Sequence, residues 1–314
     1  MKRATICGAG GFLGSHMAKR LKSEGYFVRG LGRSEWDRSS NGLNYCDEYW
    51  CCDLRQPHPQ FFNDANEVYQ FACEVGGLGY IADSANDLAM LRNSTLIDIN
   101  VLGACRAAKP KIFFASSACV YPAGKSVFAE DDAYPAYPSN AFAHQRLFAE
   151  KLYQASDLDV RIGRLFNCYG RGMTWTGGRE KAVAAICRKV AEVEHMRGTV
   201  HVWGNGDQRR SFLYVDDAIE GIRRLMQSSR TAPINIGPAK SYSVYELVQI
   251  VARLSGKSVA FKYGGGIVGV PSICCDTTLL QKELGWEPRT TLEEGLKVAY
   301  PWVEQRVLDS RRQT

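Results

Sequence analysis

The first thirty residues fall into blocks of different hydrophobic period. Ala4-Thr-Ile-Cys7 is a short, unbroken apolar run, as expected of a strand buried on both faces. Gly8-Ala-Gly-Gly11-Phe-Leu-Gly14 follows, then the helical pattern Ser15 to Gly25, then a second apolar run, Tyr26 to Leu31. That order predicts strand, glycine turn, helix, strand. Further strands are predicted over 48–54, 67–72, 111–117 and 160–166, with helices over about 84–108 and 141–155. Alternation of this kind predicts an α/β protein with a doubly wound parallel sheet of the Rossmann type.

Beyond Asn167 the pattern changes. A glycine-rich loop (170–178) leads into a basic helix (179–193), a strand-like Val200-His-Val-Trp-Gly204 and mixed short elements to the C-terminus. A smaller α/β substrate-binding lobe is therefore expected. Its predicted bounds are about 171–210 plus 238–314, and the dinucleotide-binding domain takes 1–170 plus about 211–237. The active site is expected in the cleft between them.

The glycine turn carries the first chemistry. Glycines at a strand-to-helix junction let the backbone approach a pyrophosphate at a helix N-terminus, where unpaired N–H groups and the helix dipole favour negative charge. The predicted cofactor contacts are Gly8, Gly11, Phe12, Leu13 and Gly14.

Composition narrows the class without changing the picture. The chain has 314 residues, 45% hydrophobic, 23% charged and 11% aromatic, as in an ordinary globular protein. No run of about 18 apolar residues would cross a membrane, and Met1-Lys-Arg-Ala leads straight into the first strand, so a soluble, cytoplasmic protein is expected. The 11 cysteines are odd in number and irregularly spaced, which predicts free thiols. There is no CxxC or HExxH, and the pairs Cys51-Cys52 and Cys274-Cys275 lack zinc-site spacing, so no metal is expected. The net charge is +6, and between Arg161 and Arg210 ten Lys and Arg face four acids. This local excess fits either a solvated helix face or an anion site for phosphates. No nucleic-acid reading motif accompanies it.

The glycine turn, Asp53-Leu54, Ser116 to Tyr121, Arg164-Leu-Phe-Asn167-Cys-Tyr-Gly170 and Arg210 to Asp217 together resemble the extended short-chain dehydrogenase/reductase (NAD-dependent epimerase/dehydratase) family that acts on nucleotide sugars. Within it, Gly76-Gly-Leu-Gly79-Tyr80-Ile81, the cysteine of Ser116-Ser-Ala-Cys119 and Gly177-Gly-Arg-Glu-Lys181-Ala are most similar to the GDP-mannose 3,5-epimerases. The resemblance implies oxidation of the sugar at C4 with bound NAD, inversion of the neighbouring carbons and return of the hydride. The C4 carbonyl acidifies the adjacent C–H bonds, so one acid and one base on opposite ring faces suffice. Carried over by position, that pair is Cys119 and Lys181, a buried thiol and an ammonium tuned towards neutrality. Asn167, Glu180, Lys189, Gln208 and Arg210 are then expected at the sugar or its nucleotide diphosphate. Gly77 and Gly79 bring the ring close to backbone, Asn100 supports the centre from behind, and Asp53, Leu54 and Ala72 join the cofactor contacts. A homodimer through the helices at about 84–108 and 141–155 is implied too, the second helix presenting Phe142, Phe148 and Leu152.

Three departures from the family pattern bear on the reaction. The catalytic Tyr-x-x-x-Lys becomes Phe142-Ala-His-Gln-Arg146. Phenylalanine has no proton to exchange and arginine stays charged. After the second strand, Gly30-Leu-Gly32-Arg33 lacks the acidic residue of NAD-preferring relatives, and Arg33 suits a 2′-phosphate, so the cofactor is NAD or NADP with NADP favoured. Finally, the arginine that grips the substrate diphosphate falls in Gly269-Val-Pro-Ser-Ile273, which has no basic side chain. Three readings stay open. One is a redox epimerase in which Ser117, Tyr121, His144 or water replaces the tyrosine and Arg146 holds the cofactor. Another is a non-redox isomerase, epimerase or eliminating enzyme acting on a carbonyl-bearing substrate. The last is a catalytically silent binding protein.

Overall fold

The computed structural model describes residues 1–34, 45–193 and 197–313. Glu194, counted above among the acids of the basic segment, lies outside them. The chain starts with β1 (Arg3–Cys7), α1 (Phe12–Ser23), β2 (Phe27–Gly32), β3 (Glu48–Cys51) and β4 (Glu67–Gln70). A short α2 (Leu78–Ile81) precedes α3 (Asp87–Cys105), β5 (Lys111–Ser117) and β6 (Val127–Phe128). Next come α4 (Ala141–Gln154), β7 (Val160–Leu165), β8 (Cys168–Tyr169), α5 (Ala182–Ala191), β9 (Arg197–Val202), β10 (Arg209–Arg210) and β11 (Leu213–Tyr214). The last third holds α6 (Val215–Gln227), β12 (Ile234–Ile236), β13 (Tyr242–Ser243), α7 (Val244–Ser255), β14 (Ser258–Tyr263), β15 (Ser272–Cys275), α8 (Thr278–Leu284) and α9 (Leu292–Gln313).

Seven strands form the main sheet in the order β12-β7-β5-β4-β1-β2-β3, every pair parallel. This is the doubly wound fold that the alternation predicted. Both faces are covered, so the strands read as near-continuous apolar runs and successive residues feed opposite cores. Ile6 and Phe113 join the core that includes Met17 of α1 and Ile222 of α6. Cys7, Ile112 and Phe114 join the core with Val101 of α3 and Tyr153 of α4. Strand order reverses between β2 and β4 on either side of β1, so the carboxyl ends of β1, β2 and β4 open a crevice at the glycine turn.

β7 is buried at all six positions although it holds Arg161 and Arg164. A charge is tolerated inside only when it is paired. Arg164 donates from Nε and Nη2 to the Glu150 carboxylate at 2.9 and 2.7 Å, with both side chains nearly inaccessible. Its third nitrogen reaches the Tyr121 hydroxyl and the Glu130 carbonyl. This pair ties α4 to β7 beneath the site.

Outside the main sheet lie a four-stranded sheet, β13-β10-β15-β6, and the parallel pairs β14-β9 and β11-β8; β6, from the segment expected in the dinucleotide-binding domain, pairs there with β15. β12 lies at the edge of the main sheet, beside β7, while β11 pairs with β8 outside it. Helix α7 begins on a capping box in which Ser243 and Glu246 satisfy each other's backbone N–H groups, and it ends at Gly256 in the left-handed conformation (φ 67°). One residue later, Lys257 Nζ donates to the carbonyls of Val190, Ala191 and Val193 at 2.9 to 3.1 Å. It thus closes the C-terminus of α5, where cations are favoured by the helix dipole. Lys257→Met is expected to cost about 1–2 kcal/mol, seen as a lower urea midpoint with an unchanged m-value.

Candidate active site

The glycine turn is shaped by contact. Gly8 has φ +81°, and a Cβ there would lie 3.1 Å from the Ala72 nitrogen. A Cβ on Gly14 would lie 2.2 Å from the Gly8 carbonyl oxygen. The N-cap of α1 is Gly11, with no side-chain cap and no acidic residue in the first turn. The amides of Phe12, Leu13 and Gly14 therefore face no competing protein anion, which fits a dinucleotide diphosphate.

Around the turn, side chains fix backbone. Asn100 donates to the Leu54 carbonyl at 3.1 Å. Asp53 accepts from Arg55 Nε at 2.9 Å, and that ion pair holds its carboxyl below the usual range. Gln70 brackets Ala72, accepting from its N–H and donating to its carbonyl. At the end of β2, a Cβ on Gly32 would lie 2.0 Å from the Tyr49 hydroxyl, and that hydroxyl donates to the Ser34 carbonyl. Any side chain at position 32, acidic or not, would have to displace Tyr49. Arg33 is 64% exposed beside it.

The helix that carries the altered pair shows what became of it. Asn140 caps α4 through the Ala143 N–H, and Phe142 turns inward. It is 6% exposed and packs with Met90, Ala141, Cys73, Val75, Tyr80, Ile81 and Cys119. Arg146 is 2% exposed. It donates to Asp98 Oδ2 at 3.2 Å, to Gln145 Oε1 at 2.7 Å and to the Ala115 carbonyl at 3.3 Å. Asp98, itself inaccessible, also accepts from Gln70, Gln145 and Tyr153. Burial outweighs the pull of Arg146 and these donors, so its carboxyl stands above its ordinary value. Arg146 is thus placed as the countercharge of Asp98. The supposed surface stripe of α4 is not one surface either, because Phe142 and Leu152 pack inward while Phe148 is exposed.

Of the groups considered as replacements for the tyrosine, two point elsewhere. His144 is exposed on the outer face of α4. Tyr121 is 3% exposed and donates to Asn235 Oδ1. Ser117 remains half-buried at the end of β5, where its Oγ caps the single turn Ala118–Val120 by accepting from the Cys119 N–H. Cys119 is half-buried rather than fully enclosed.

The lobe side is set by two loops locked together. The Gly77 N–H donates to the Arg179 carbonyl at 2.9 Å, and a Cβ on Gly77 would lie 2.0 Å from the Glu180 carbonyl oxygen. Arg179 Nη1 donates to Glu74 Oε1 at 2.6 Å, and Nη2 meets the Tyr80 hydroxyl at 3.0 Å. Its guanidinium lies 4.1 Å from the centre of the Tyr80 ring. Glu74 is 7% exposed and accepts from Asn93 as well. Lys181 is the exposed N-cap residue of α5 rather than part of the helix. Glu74 and Arg179 escaped the sequence reading because they lie 105 positions apart.

The other expected substrate residues line the lobe. Glu180 accepts from Arg188 through Oε1, while its Oε2 is buried without a partner, as is Gln208 Oε1. Two orphaned acceptors fit a ligand rich in O–H or N–H donors. Lys189 donates to the His201 carbonyl at 2.8 Å and sits 5.9 Å from the Trp203 ring, and Gly79 faces that ring. Asn167 donates weakly to the Ser211 carbonyl at 3.4 Å. Because β10 pairs with β15, Arg210 reaches the Val270 carbonyl at 2.8 Å. A guanidinium thus lies against the loop 269–273 that has no basic residue of its own. Among the described residues no cluster of ligands for a metal and no helix able to cross a membrane occurs.

The model of the NAD dependent epimerase/dehydratase family matches residues 4–237. GDP-mannose 3,5-epimerase 1 of Oryza sativa subsp. indica is 36% identical over 325 residues, covering 99% of this chain and 84% of the relative. The Arabidopsis thaliana GDP-mannose 3,5-epimerase is 36% identical over 97% of this chain and 83% of its own. UDP-glucuronic acid decarboxylase 1 of Xenopus tropicalis is 26% identical over 94% and 70%. Among solved structures, MoeE5 in complex with UDP-glucuronic acid and NAD superposes with a TM-score of 0.83 at 25% identity, covering 99% of this chain and all of that one.

Two outcomes follow from this geometry. Arg146→Met strands the Asp98 carboxylate and is expected to cost about 3–5 kcal/mol, while adding Asp98→Asn recovers part of it, read as urea midpoints in a double-mutant cycle. Burial raises the Glu74 carboxyl, but hydrogen bonds from Arg179, Asn93 and Tyr80 more than offset that and set it below its ordinary value. The folded form therefore holds its proton less tightly than the unfolded one. The stability it adds is complete above about pH 5 and is lost as pH falls through about 4 and below. The difference in stability between wild type and Glu74→Gln should be flat from pH 6 to 8 and shrink below pH 4.

Proposed function

Because this chain belongs to the NAD dependent epimerase/dehydratase family and is an enzyme of that type, acting on a small-molecule nucleotide sugar with an NAD(P) site, we propose that it epimerises a GDP-hexose at carbons adjacent to C4. Its acid and base are Cys119 and Lys181. What supports this reading is that the loop leading to Lys181 is bonded to the segment 74–81 through the Gly77 N–H and the Arg179 carbonyl, while Val75, Tyr80 and Ile81 of that same segment pack in the cluster that includes Cys119 and Phe142. One group takes the proton from the carbon next to the carbonyl, and the other returns a proton on the opposite face. Glu180, Gln208 and Asn167 orient the sugar, and Arg210 with Lys189 neutralises the diphosphate.

Bound at the glycine turn, NAD(P) supplies hydride acceptance and return at C4. The protein groups left to handle the C4 hydroxyl proton are Ser117 and a water it would hold, since Arg146 faces Asp98 and Phe142 carries no proton. Gly32 and the exposed Arg33 favour NADP over NAD, a charged fork suiting a 2′-phosphate. A second reading rests on those same facts: the substrate arrives already carrying a carbonyl, and Cys119 and Lys181 act without a redox step.

The chain is proposed to work as a homodimer through α3 and α4, whose outer faces expose Leu88, Leu91, Ile99 and Phe148. Sedimentation should give twice the chain mass, and Phe148→Glu should shift it towards the monomer.

The deciding experiment incubates the enzyme with NADP and a panel of GDP-hexoses in deuterated water. Deuterium at C3 or C5 is expected, with a transient rise in nicotinamide absorbance if the redox route holds. Cys119→Ala and Lys181→Ala should each lower exchange about 100-fold or more. Exchange into a keto sugar without any nicotinamide signal selects the second reading. No exchange into any substrate overturns both.

A further inference from the structure

Glu74 stands outside the set of residues that meet substrate, yet it is the buried end of the contact that fixes the loop bearing Lys181. The loop Gly177 to Lys181 has two glycines with positive φ, Gly177 at 87° and Gly178 at 79°, and nothing lies within 4 Å of a Cβ at either. Its own backbone therefore does little to hold it. Lys181, next to the loop's end, is exposed. What stops the loop from swinging is a set of contacts from the other side of the cleft.

Contacts with three residues meet at Arg179. Its carbonyl takes the Gly77 N–H, its guanidinium bonds Glu74 at 2.6 Å and the Tyr80 hydroxyl at 3.0 Å, and the same guanidinium stacks on the Tyr80 ring. Glu74 in turn is held by main chain and helix. Its N–H donates to Ser94 Oγ at 3.0 Å, and its second oxygen accepts from Asn93 at 3.3 Å, both on α3. Arg33 also faces it, at 4.0 Å. The carboxylate is 8% exposed while the arginine is 42% exposed, so the anchor is the acid and the part that would swing is the arginine.

We propose that Glu74 is a positioning residue for the Lys181 loop, clasping it through Arg179 and Tyr80 so that the lysine ammonium stays over the substrate carbon. The role rests on the acid–base assignment of Lys181 made above, but the clasp itself is open to a test that needs no substrate. Without it the loop would sample open positions, and the fraction of enzyme with Lys181 in place would fall. The effect belongs to proton transfer rather than to the glycine turn, of which none of the clasp residues is part; Arg33, which faces Glu74, is proposed to meet only a 2′-phosphate, so NAD, which has none, is the dinucleotide to titrate.

The experiment measures amide hydrogen exchange in the free protein together with turnover. In Glu74→Gln, peptides spanning 174–182 should exchange at least tenfold faster, and those spanning 8–14 should be unchanged. Glu74→Asp should restore part of the protection. For the active protein, kcat for deuterium entry should fall at least tenfold, with the Kd for NAD, which carries no 2′-phosphate for Arg33 to meet, within twofold of wild type. Should Glu74→Gln fail to fold, Arg179→Gln removes the clasp from its exposed end and is expected to give the same pattern. Unchanged exchange over 174–182 in a folded variant overturns the proposal, as does a parallel loss of NAD binding. If the wild type turns over no GDP-hexose, the functional reading fails, and the loop protection alone decides the clasp.

Discussion

A single buried carboxylate organises the sheet side of this site. Asp98, inaccessible within α3, takes hydrogen bonds from Gln70 at the end of β4 and from Gln145, Arg146 and Tyr153 of α4. An ionised carboxylate in such a place is tolerated only with its partners complete. The position of α4 against the sheet is thereby tied to this charge. So is the backbone at Ala72, which Gln70 holds with the same amide that it offers to Asp98. The consequence for chemistry is that an arginine at position 146 is consumed as a countercharge, and its helix neighbour Phe142 closes an apolar cluster instead of presenting a hydroxyl.

The two sides of the cleft consequently differ in kind. The sheet side offers a shaped turn, uncapped amides and an apolar wall with two thiols in it, Cys73 and Cys119. The other side offers the cations Lys181, Lys189 and Arg210, with the orphaned oxygens of Glu180 and Gln208. Epimerisation as proposed needs groups on both faces of the ring, and on that reading the division supplies one from each side. It also makes the relative placement of the two sides decisive, because neither half contains the whole apparatus. The contacts that cross between them, Gly77 with Arg179 and Glu180 and the Glu74–Arg179–Tyr80 cluster, matter for that reason.

The sequence made some of this legible. The glycine turn could be read because strand, turn and helix are contiguous, and their geometry follows from local rules. The loss of the Tyr and Lys was legible too, since the substitution is visible in place. Its meaning was not. Arg146 finds Asp98 at a separation of 48 positions, on another helix, and no spacing rule joins them. Arg210 meets the loop before β15 only because two short strands pair. Periodicity misled at α4, where Phe142, Phe148 and Leu152 looked like one stripe. A helix packed on both the sheet and α3 has two apolar faces, so periodic spacing alone does not say which face looks outward.

Why the helix pair is not simply convertible follows from the same charge. A lysine at 146 is a point charge on a flexible stem, with no planar fork to serve Asp98, Gln145 and the Ala115 carbonyl at once. A tyrosine at 142 would carry a hydroxyl into a cluster of Met90, Ala141, Val75 and two half-buried thiols. The Phe142–Arg146 pair and Asp98 therefore form one unit, stable as it stands and costly to change one member at a time. In the proposed reaction the proton chemistry then rests on Cys119 and Lys181, and the placement of those two groups, rather than the altered helix, is what activity depends on.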